Sequence, residues 1–265
     1  MKNRNANVRL GIFGFGCVGQ GLYDVLQTIE RAGIEVAPIC VKDKEKPRSL
    51  PASAFTYNPQ ELLQDERITI FAELISDADE AYVIVKQALL AGKTIISANK
   101  KMLATHLPEL VALQQEHKGT LLYEAAVGGS IPIIRVLESY YSSEPLQQVS
   151  GILNGSSNFI LSKMETEGLS YAAALQLAQD LGFAEADPTL DVGGYDTANK
   201  LCLVAAHAFG ATIKPEQVLR FGIENVSEND LQVAAQAGAR IRLAGTLTLD
   251  GNSLVARVLP ALVES

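Results

Sequence analysis

Val8-Arg-Leu-Gly-Ile-Phe13-Gly14-Phe-Gly16-Cys17-Val18-Gly19 is a short apolar run ending in three glycines at G-x-G-x-x-G spacing, and Leu22, Val25, Leu26 and Ile29 then recur at helical spacing. The order is strand, glycine turn, helix. Residues 35–41 form a second apolar run, completing a β-α-β unit of the size a dinucleotide-binding fold uses. Gly14 would permit the tight turn, Gly16 would let the backbone approach a pyrophosphate, and Gly19 would let the helix pack closely on the strand. The phosphates would then sit at the positive end of the helix beginning near Cys17. Phe13, Gly14, Gly16, Cys17, Val18 and Gly19 are therefore candidate cofactor-binding residues. Taken alone the glycines could be a plain turn; their place inside a complete β-α-β unit favours nucleotide binding.

The alternation continues as strand 68–75, helix 78–91, strand 94–98, helix 107–116 and strand 120–125. Repeated short strands and helices imply a parallel sheet covered on both faces. After about residue 128 longer helices take over, at 131–141, 158–167, 171–181 and 197–208, mixed with a few strands. The expected architecture is α/β: a Rossmann-type doubly wound parallel sheet in an NAD(P)-binding domain, 1–128, and an α+β substrate-binding and dimerisation domain, 129–265. Ile131, Ile134, Leu137 and Leu161 could face a second copy or the core, and core is the commoner outcome.

The chain has 265 residues, 48% of them hydrophobic and 20% charged, which is ordinary for a packed soluble protein. A net charge of −8 without a long Lys/Arg run argues against nucleic acid as a partner. Cys17, Cys40 and Cys202 are odd in number and widely spaced, so neither a disulfide framework nor a zinc site is indicated and a reducing compartment is expected. The polar run 1–7 leads into the first strand without a signal-peptide core, and no apolar stretch of membrane-spanning length exists. A cytosolic protein without membrane association is expected.

The densest chemistry lies in Glu185-Ala-Asp-Pro-Thr-Leu-Asp191-Val-Gly-Gly-Tyr-Asp196-Thr-Ala-Asn-Lys200, which leads into an apolar helix. Asp196 and Lys200 fall one helical turn apart on one face. Such a pair beside an apolar element suits proton transfer, although a simple helix-terminal salt bridge has the same spacing. Elsewhere, Lys42 and Lys44 follow the second strand, where an acidic residue would signal NAD; lysines suit a 2′-phosphate, with Asp43 an ambiguous neighbour. Ser97-Ala98-Asn99-Lys100-Lys101 follows a strand at its ligand-binding end, and small residues there admit a flat ring. Glu124-Ala-Ala-Val127-Gly128-Gly129-Ser130-Ile131-Pro132 could present Glu124 and backbone carbonyls to a hard cation, or Glu124 could only cap a neighbouring element. Asn154-Gly155-Ser156-Ser157-Asn158 reads as a polar turn with an N-cap, whose amides could also face a small anionic substrate.

Together and in this order, these motifs resemble the homoserine dehydrogenase family over nearly the whole chain. The resemblance implies reversible, NAD(P)-dependent interconversion of L-aspartate 4-semialdehyde and L-homoserine by a homodimer formed through the second domain. It implies Lys200 as proton donor with Asp196 as its partner, and Lys100 between nicotinamide and substrate. Glu185 and Asp191 would grip the substrate ammonium, with Gly155 and Ser156 lining the substrate site. Lys42, Ala98, Asn99 and Lys100 would join the glycine loop around NADP or NAD, with NADP favoured. Glu124, Val127, Gly129 and Ile131 match a monovalent-cation site, implying Na+. The chain departs from the family at Ser76-Asp77, where two glycines are usual and where an added carboxylate is expected to crowd or repel the nucleotide. It also ends at Leu259-Pro-Ala-Leu-Val-Glu-Ser265, where family members continue; a truncated form without aspartokinase or regulatory portions is the expectation. The alternatives are a related amino-acid or semialdehyde dehydrogenase, or a nucleotide-binding protein without turnover.

Overall fold

The structure, a computed structural model, describes residues 8–29 and 33–264; the N-terminal run 1–7 read above lies outside them. Two compact units, 1–126 and 127–265, divide the chain.

In the first unit the strands are β1 (Val8–Phe13), β2 (Ile34–Val36), β3 (Ile39–Cys40), β4 (Phe55–Thr56), β5 (Ile68–Glu73), β6 (Thr94–Ser97) and β7 (Thr120–Leu122). The helices are α1 (Cys17–Thr28), α2 (Pro59–Leu63), α3 (Ala78–Leu90) and α4 (Lys100–His117), and α5 (Glu124–Gly128) follows at the boundary. All strand pairs are parallel, in the order β4-β3-β1-β5-β6-β7 with β2 also on β1. The strand expected at 35–41 is broken in two. Ala37 still donates to the Leu10 carbonyl (2.9 Å), but Pro38 has no N–H to continue the ladder. Counted as one strand, β2 and β3 restore the doubly wound order, with its switch point between β1 and β5. The fold expectation is borne out.

Hydrophobic burial holds this sheet. Ile12, Phe13, Phe71, Ile68, Leu89, Ile95 and Leu103 are fully buried, and each such side chain contributes about 1.5–3 kcal/mol on burial. Helix α4 starts seven residues before the expected 107 because the Asn99 side chain accepts from the Met102 N–H (3.0 Å), capping the helix at Lys100. The strand expected to reach residue 125 stops at Leu122, and α5 begins at Glu124, a run of helix formers.

In the second unit come α6 (Ile133–Ser139), β8 (Gln148–Gly151), α7 (Gly155–Glu167), α8 (Tyr171–Asp180), α9 (Thr189–Val192), α10 (Tyr195–Phe209), β9 (Leu219–Arg220), α11 (Glu228–Gln236), β10 (Ala239–Asp250) and β11 (Ser253–Glu264). Helix α6 starts after Pro132 rather than at 131, consistent with the bias of proline against helical conformation in the residue before it. The sheet runs β8-β10-β11-β9, with the long β10–β11 hairpin at its centre. Leu243, Leu247 and Val258 on one face are fully buried, as are Ile160 and Leu161 of α7 and Leu203 of α10. Ile134, Leu137 and Leu161 are core, whereas Ile131 is exposed.

Candidate active site

The glycine loop of the first unit has the geometry its spacing demands. Gly14 has φ +98°, and a Cβ there would lie 2.6 Å from the Leu74 carbonyl oxygen. A Cβ on Gly19 would lie 2.3 Å from the Gly14 carbonyl oxygen, so the first turn of α1 is pressed against the loop. Gly16 differs: its Cβ would meet nothing within 4 Å. It is the N-cap of α1 and brings no side chain to the helix terminus. The space beside this helix terminus is therefore open at Gly16, as the approach of a phosphate requires. Cys17 and Val18 are exposed at that turn.

Beside the loop, a cavity of about 520 Å³ is lined by Phe13, Gly14, Val41, Ile75, Val83 and Ile84, with Lys42 and Glu80 at its polar side. Its walls follow β1, β3 and β5, at the carboxyl edge of the sheet where open α/β sheets bind ligands. Lys42 is ion-paired with Glu80, which also holds its ammonium above the usual lysine range. A second recess, of about 370 Å³, joins Gly16, Cys17 and Gln20 to Lys46, Arg48 and Ser49.

Under this edge lies a network the sequence did not reveal. Glu73, fully buried at the end of β5, accepts from the Ser97 hydroxyl (2.5 Å) and the Ile75 N–H (2.8 Å), and burial pushes its carboxyl up from the usual value. Ser97 Oγ accepts in turn from Asn99 N (3.2 Å). The Asn99 amide donates to the carbonyls of Ile75 (3.1 Å), Ser76 (3.4 Å) and Asp77 (3.3 Å). Asn99 is buried among these bonds, and Lys100 is the first residue of α4. Asp77, expected to trouble a nucleotide, is the N-cap of α3. It accepts from Glu80 N (2.9 Å) and Asp79 N (3.0 Å), bonds that hold its carboxyl below the usual range.

In the second unit the Asp196–Lys200 pair forms on α10 as the spacing demanded, Lys200 Nζ lying 2.8 Å from Asp196 Oδ2. Lys200 also donates to the Leu153 carbonyl (2.5 Å). Both side chains are largely enclosed, 15% and 9% exposed, so the pair is not a solvated surface bridge. Asn154, at the start of α7, donates to Asp191 Oδ1 (2.7 Å) and Asp196 Oδ2 (3.1 Å) and accepts from Ser157 N (2.8 Å). The structure therefore gathers Lys200, Asp196, Asp191 and Asn154. Glu185 is exposed, and its backbone carbonyl accepts from the Gln179 side-chain amide (3.1 Å). Asp187 is taken up by Thr189, whose hydroxyl and N–H hold its carboxyl low. Gly155 is exposed at the first position of α7, and the Ser156 hydroxyl donates to the Phe183 carbonyl (2.5 Å).

Around the two glycines, Val127 is buried, Gly129 has φ +61°, and the Ile131 carbonyl accepts from Ile133 N (2.9 Å). Among the described residues no group of three or more His, Cys, Asp and Glu could hold a metal ion, and no helix is long and apolar enough to cross a membrane.

A doubly wound sheet with an open glycine loop, joined in sequence to a unit with an enclosed Lys/Asp pair, defines a two-domain protein of the dinucleotide-binding class. Residues 14–124 match the NAD-binding domain of homoserine dehydrogenase, and residues 132–265 match the homoserine dehydrogenase family itself. The chain belongs to the homoserine dehydrogenase family. It is 36% identical to homoserine dehydrogenase of Lactococcus lactis over 97% of its own length, and spans 62% of that protein. A solved homoserine dehydrogenase from Thiobacillus denitrificans superposes with a TM-score of 0.92 at 36% identity, covering 97% of this chain and 62% of that one. A hyperthermophilic archaeal homoserine dehydrogenase in complex with NADPH gives a TM-score of 0.80 at 27% identity, covering 98% of this chain and 83% of that one.

Proposed function

We propose that the protein catalyses the reversible NAD(P)-dependent interconversion of L-aspartate 4-semialdehyde and L-homoserine. The enclosed Asp196–Lys200 pair, in a chain of this family, carries the reading. The bound nicotinamide would supply the hydride. As negative charge builds on the carbonyl oxygen, Lys200 stabilises it and delivers the proton. Asp196 and the Leu153 carbonyl take two of its three N–H donors, leaving the third for that oxygen. Asp191 and Glu185 hold the substrate ammonium, Gly155 and Ser156 line the substrate site, and Lys100 orients the substrate. The amides following Gly16 hold the pyrophosphate, and the apolar cavity takes the adenosine.

NADP over NAD is part of the proposal. Lys42 is engaged by Glu80, so the support comes chiefly from Lys46 and Arg48, which line a recess with the first turn of α1. A monovalent cation such as Na+ at Glu124 and the carbonyls of Val127, Gly129 and Ile131, a homodimer and a cytosolic location complete it. Loss of reduced-nicotinamide absorbance on adding L-aspartate 4-semialdehyde tests the reading, alongside titration of each cofactor alone. Turnover that vanishes in Lys200→Ala while NADPH still binds supports it; equal loss of both refutes the catalytic role of Lys200.

A further inference from the structure

We propose that Asn154 is a positioning residue: its amide nitrogen ties Asp191 to Asp196 and so fixes Lys200 for proton delivery. This rests on the proposed dehydrogenase reaction. The residue is 5% exposed, and every polar group of its side chain is committed. Its oxygen faces the Ser157 N–H (2.8 Å), which leaves the NH2 group to face carboxylates, at 2.7 Å from Asp191 Oδ1 and 3.1 Å from Asp196 Oδ2. Asp196 Oδ2 is the atom that also holds Lys200 (2.8 Å), and the preceding residue, Leu153, gives Lys200 its second acceptor (2.5 Å). One dipeptide thus touches both members of the pair and links them to the carboxylate that would hold the substrate ammonium.

Helix capping is the competing account, because Asn154 is also the N-cap of α7. The two accounts separate by chemistry. Asn, Asp and Ser cap a helix about equally well. Only the amide can cap and also donate to two carboxylates, since a carboxylate there would be a third acceptor and a serine hydroxyl carries a single donor. Two acidic groups drawn together need such a donor between them; without it they repel, and Asp196 is free to leave Lys200.

The test uses the full chain carrying Asn154→Ser and, separately, Asn154→Asp, with thermal unfolding, cofactor titration and steady-state kinetics in the direction of aldehyde reduction. Asn154→Ser is expected to unfold within a few degrees of the parent and to keep its NADPH affinity. Its kcat should fall about 10- to 100-fold, the loss that removal of a hydrogen bond to a charged group brings. Its KM for the amino-acid substrate should rise as Asp191 is released. Asn154→Asp keeps the cap but replaces the donor with a third acceptor facing Asp191 and Asp196, so its kcat should fall at least as far. Parental kcat and KM in Asn154→Ser overturn the proposal and leave capping as the role. If Asn154→Asp does not fold, Asn154→Ser alone decides. An unsubstituted chain that binds cofactor but does not turn over refutes the dehydrogenase reading, and this inference with it.

Discussion

If the glycine loop holds a nucleotide, Gly16→Ala should weaken cofactor binding at unchanged stability, whereas Gly19→Ala should lower stability. At Gly16 the backbone is extended (φ −84°, ψ −159°) and an added methyl group meets no atom within 4 Å. The loss of unfolded-state entropy favours alanine by about 0.4–1 kcal/mol, and alanine's poor N-capping costs about as much, so stability should stay near the parental value. That methyl group would occupy the space a pyrophosphate must enter. Losing even one or two hydrogen bonds to a charged group, at about 1.5–3 kcal/mol each, predicts at least a 10-fold rise in the Kd for NADPH, and about 100-fold for 2.8 kcal/mol. At Gly19 the methyl group meets the Gly14 carbonyl oxygen at 2.3 Å. Helix or loop must then move by about 1 Å to restore an ordinary contact. Overpacking of this kind costs about 1–3 kcal/mol, offset in part by up to about 1 kcal/mol of helix propensity, so Tm should fall by a few degrees. Calorimetric unfolding and fluorescence titration of NADPH measure both effects. A Gly16→Ala protein that is as stable as the parent and binds NADPH equally well would refute the phosphate site and leave the loop as a turn.

The thiols offer an independent check. Burial pushes Cys40 up to about 11 and Cys202 up to about 12, so at pH 8 both should react slowly while exposed Cys17 alkylates quickly; bound NADPH should protect Cys17, and equal rates with and without cofactor would count against phosphates at that turn. Glu73 binds its proton more tightly folded than unfolded. Its contribution to stability is therefore present below the unfolded carboxyl value of 4.5 and is lost as pH rises through the folded one. Denaturant unfolding from acid to neutral pH should show Glu73→Gln gaining on the parent as pH rises, and parallel curves would refute the buried-acid assignment. Arg48→Ala should weaken NADPH about 10-fold, or about 1.4 kcal/mol, more than NADH; equal effects on the two cofactors would remove Arg48 from selection of the 2′-phosphate.

Features set within a few residues were legible, and features set by distant pairing were not. The glycine loop could be read because each glycine answers a local constraint, and Asp196 with Lys200 because helical spacing alone brings them together. The β10–β11 hairpin also carries a local sign: Asp250-Gly251, with Gly251 at φ +59°, lies between two apolar runs. Glu73 is different. Its partner Ser97 stands opposite it through the register of β5 and β6, and nothing in either segment announces that pairing.

The same distinction explains what several short polar side chains do. Asn99, Asp77 and Asp187 lie in segments dense with chemistry, and in each case a backbone N–H two or three residues on claims the side chain. Short polar side chains beside a helix start meet unpaired amides first, so capping takes them before a ligand can. Asn154 obeys that rule with its oxygen and escapes it with its nitrogen, reaching Asp191 and Asp196 at 37 and 42 positions' separation. A motif such as Asn-Gly-Ser-Ser is therefore ambiguous until the other half of the amide is located, and in this protein that half lies against the carboxylate that holds Lys200.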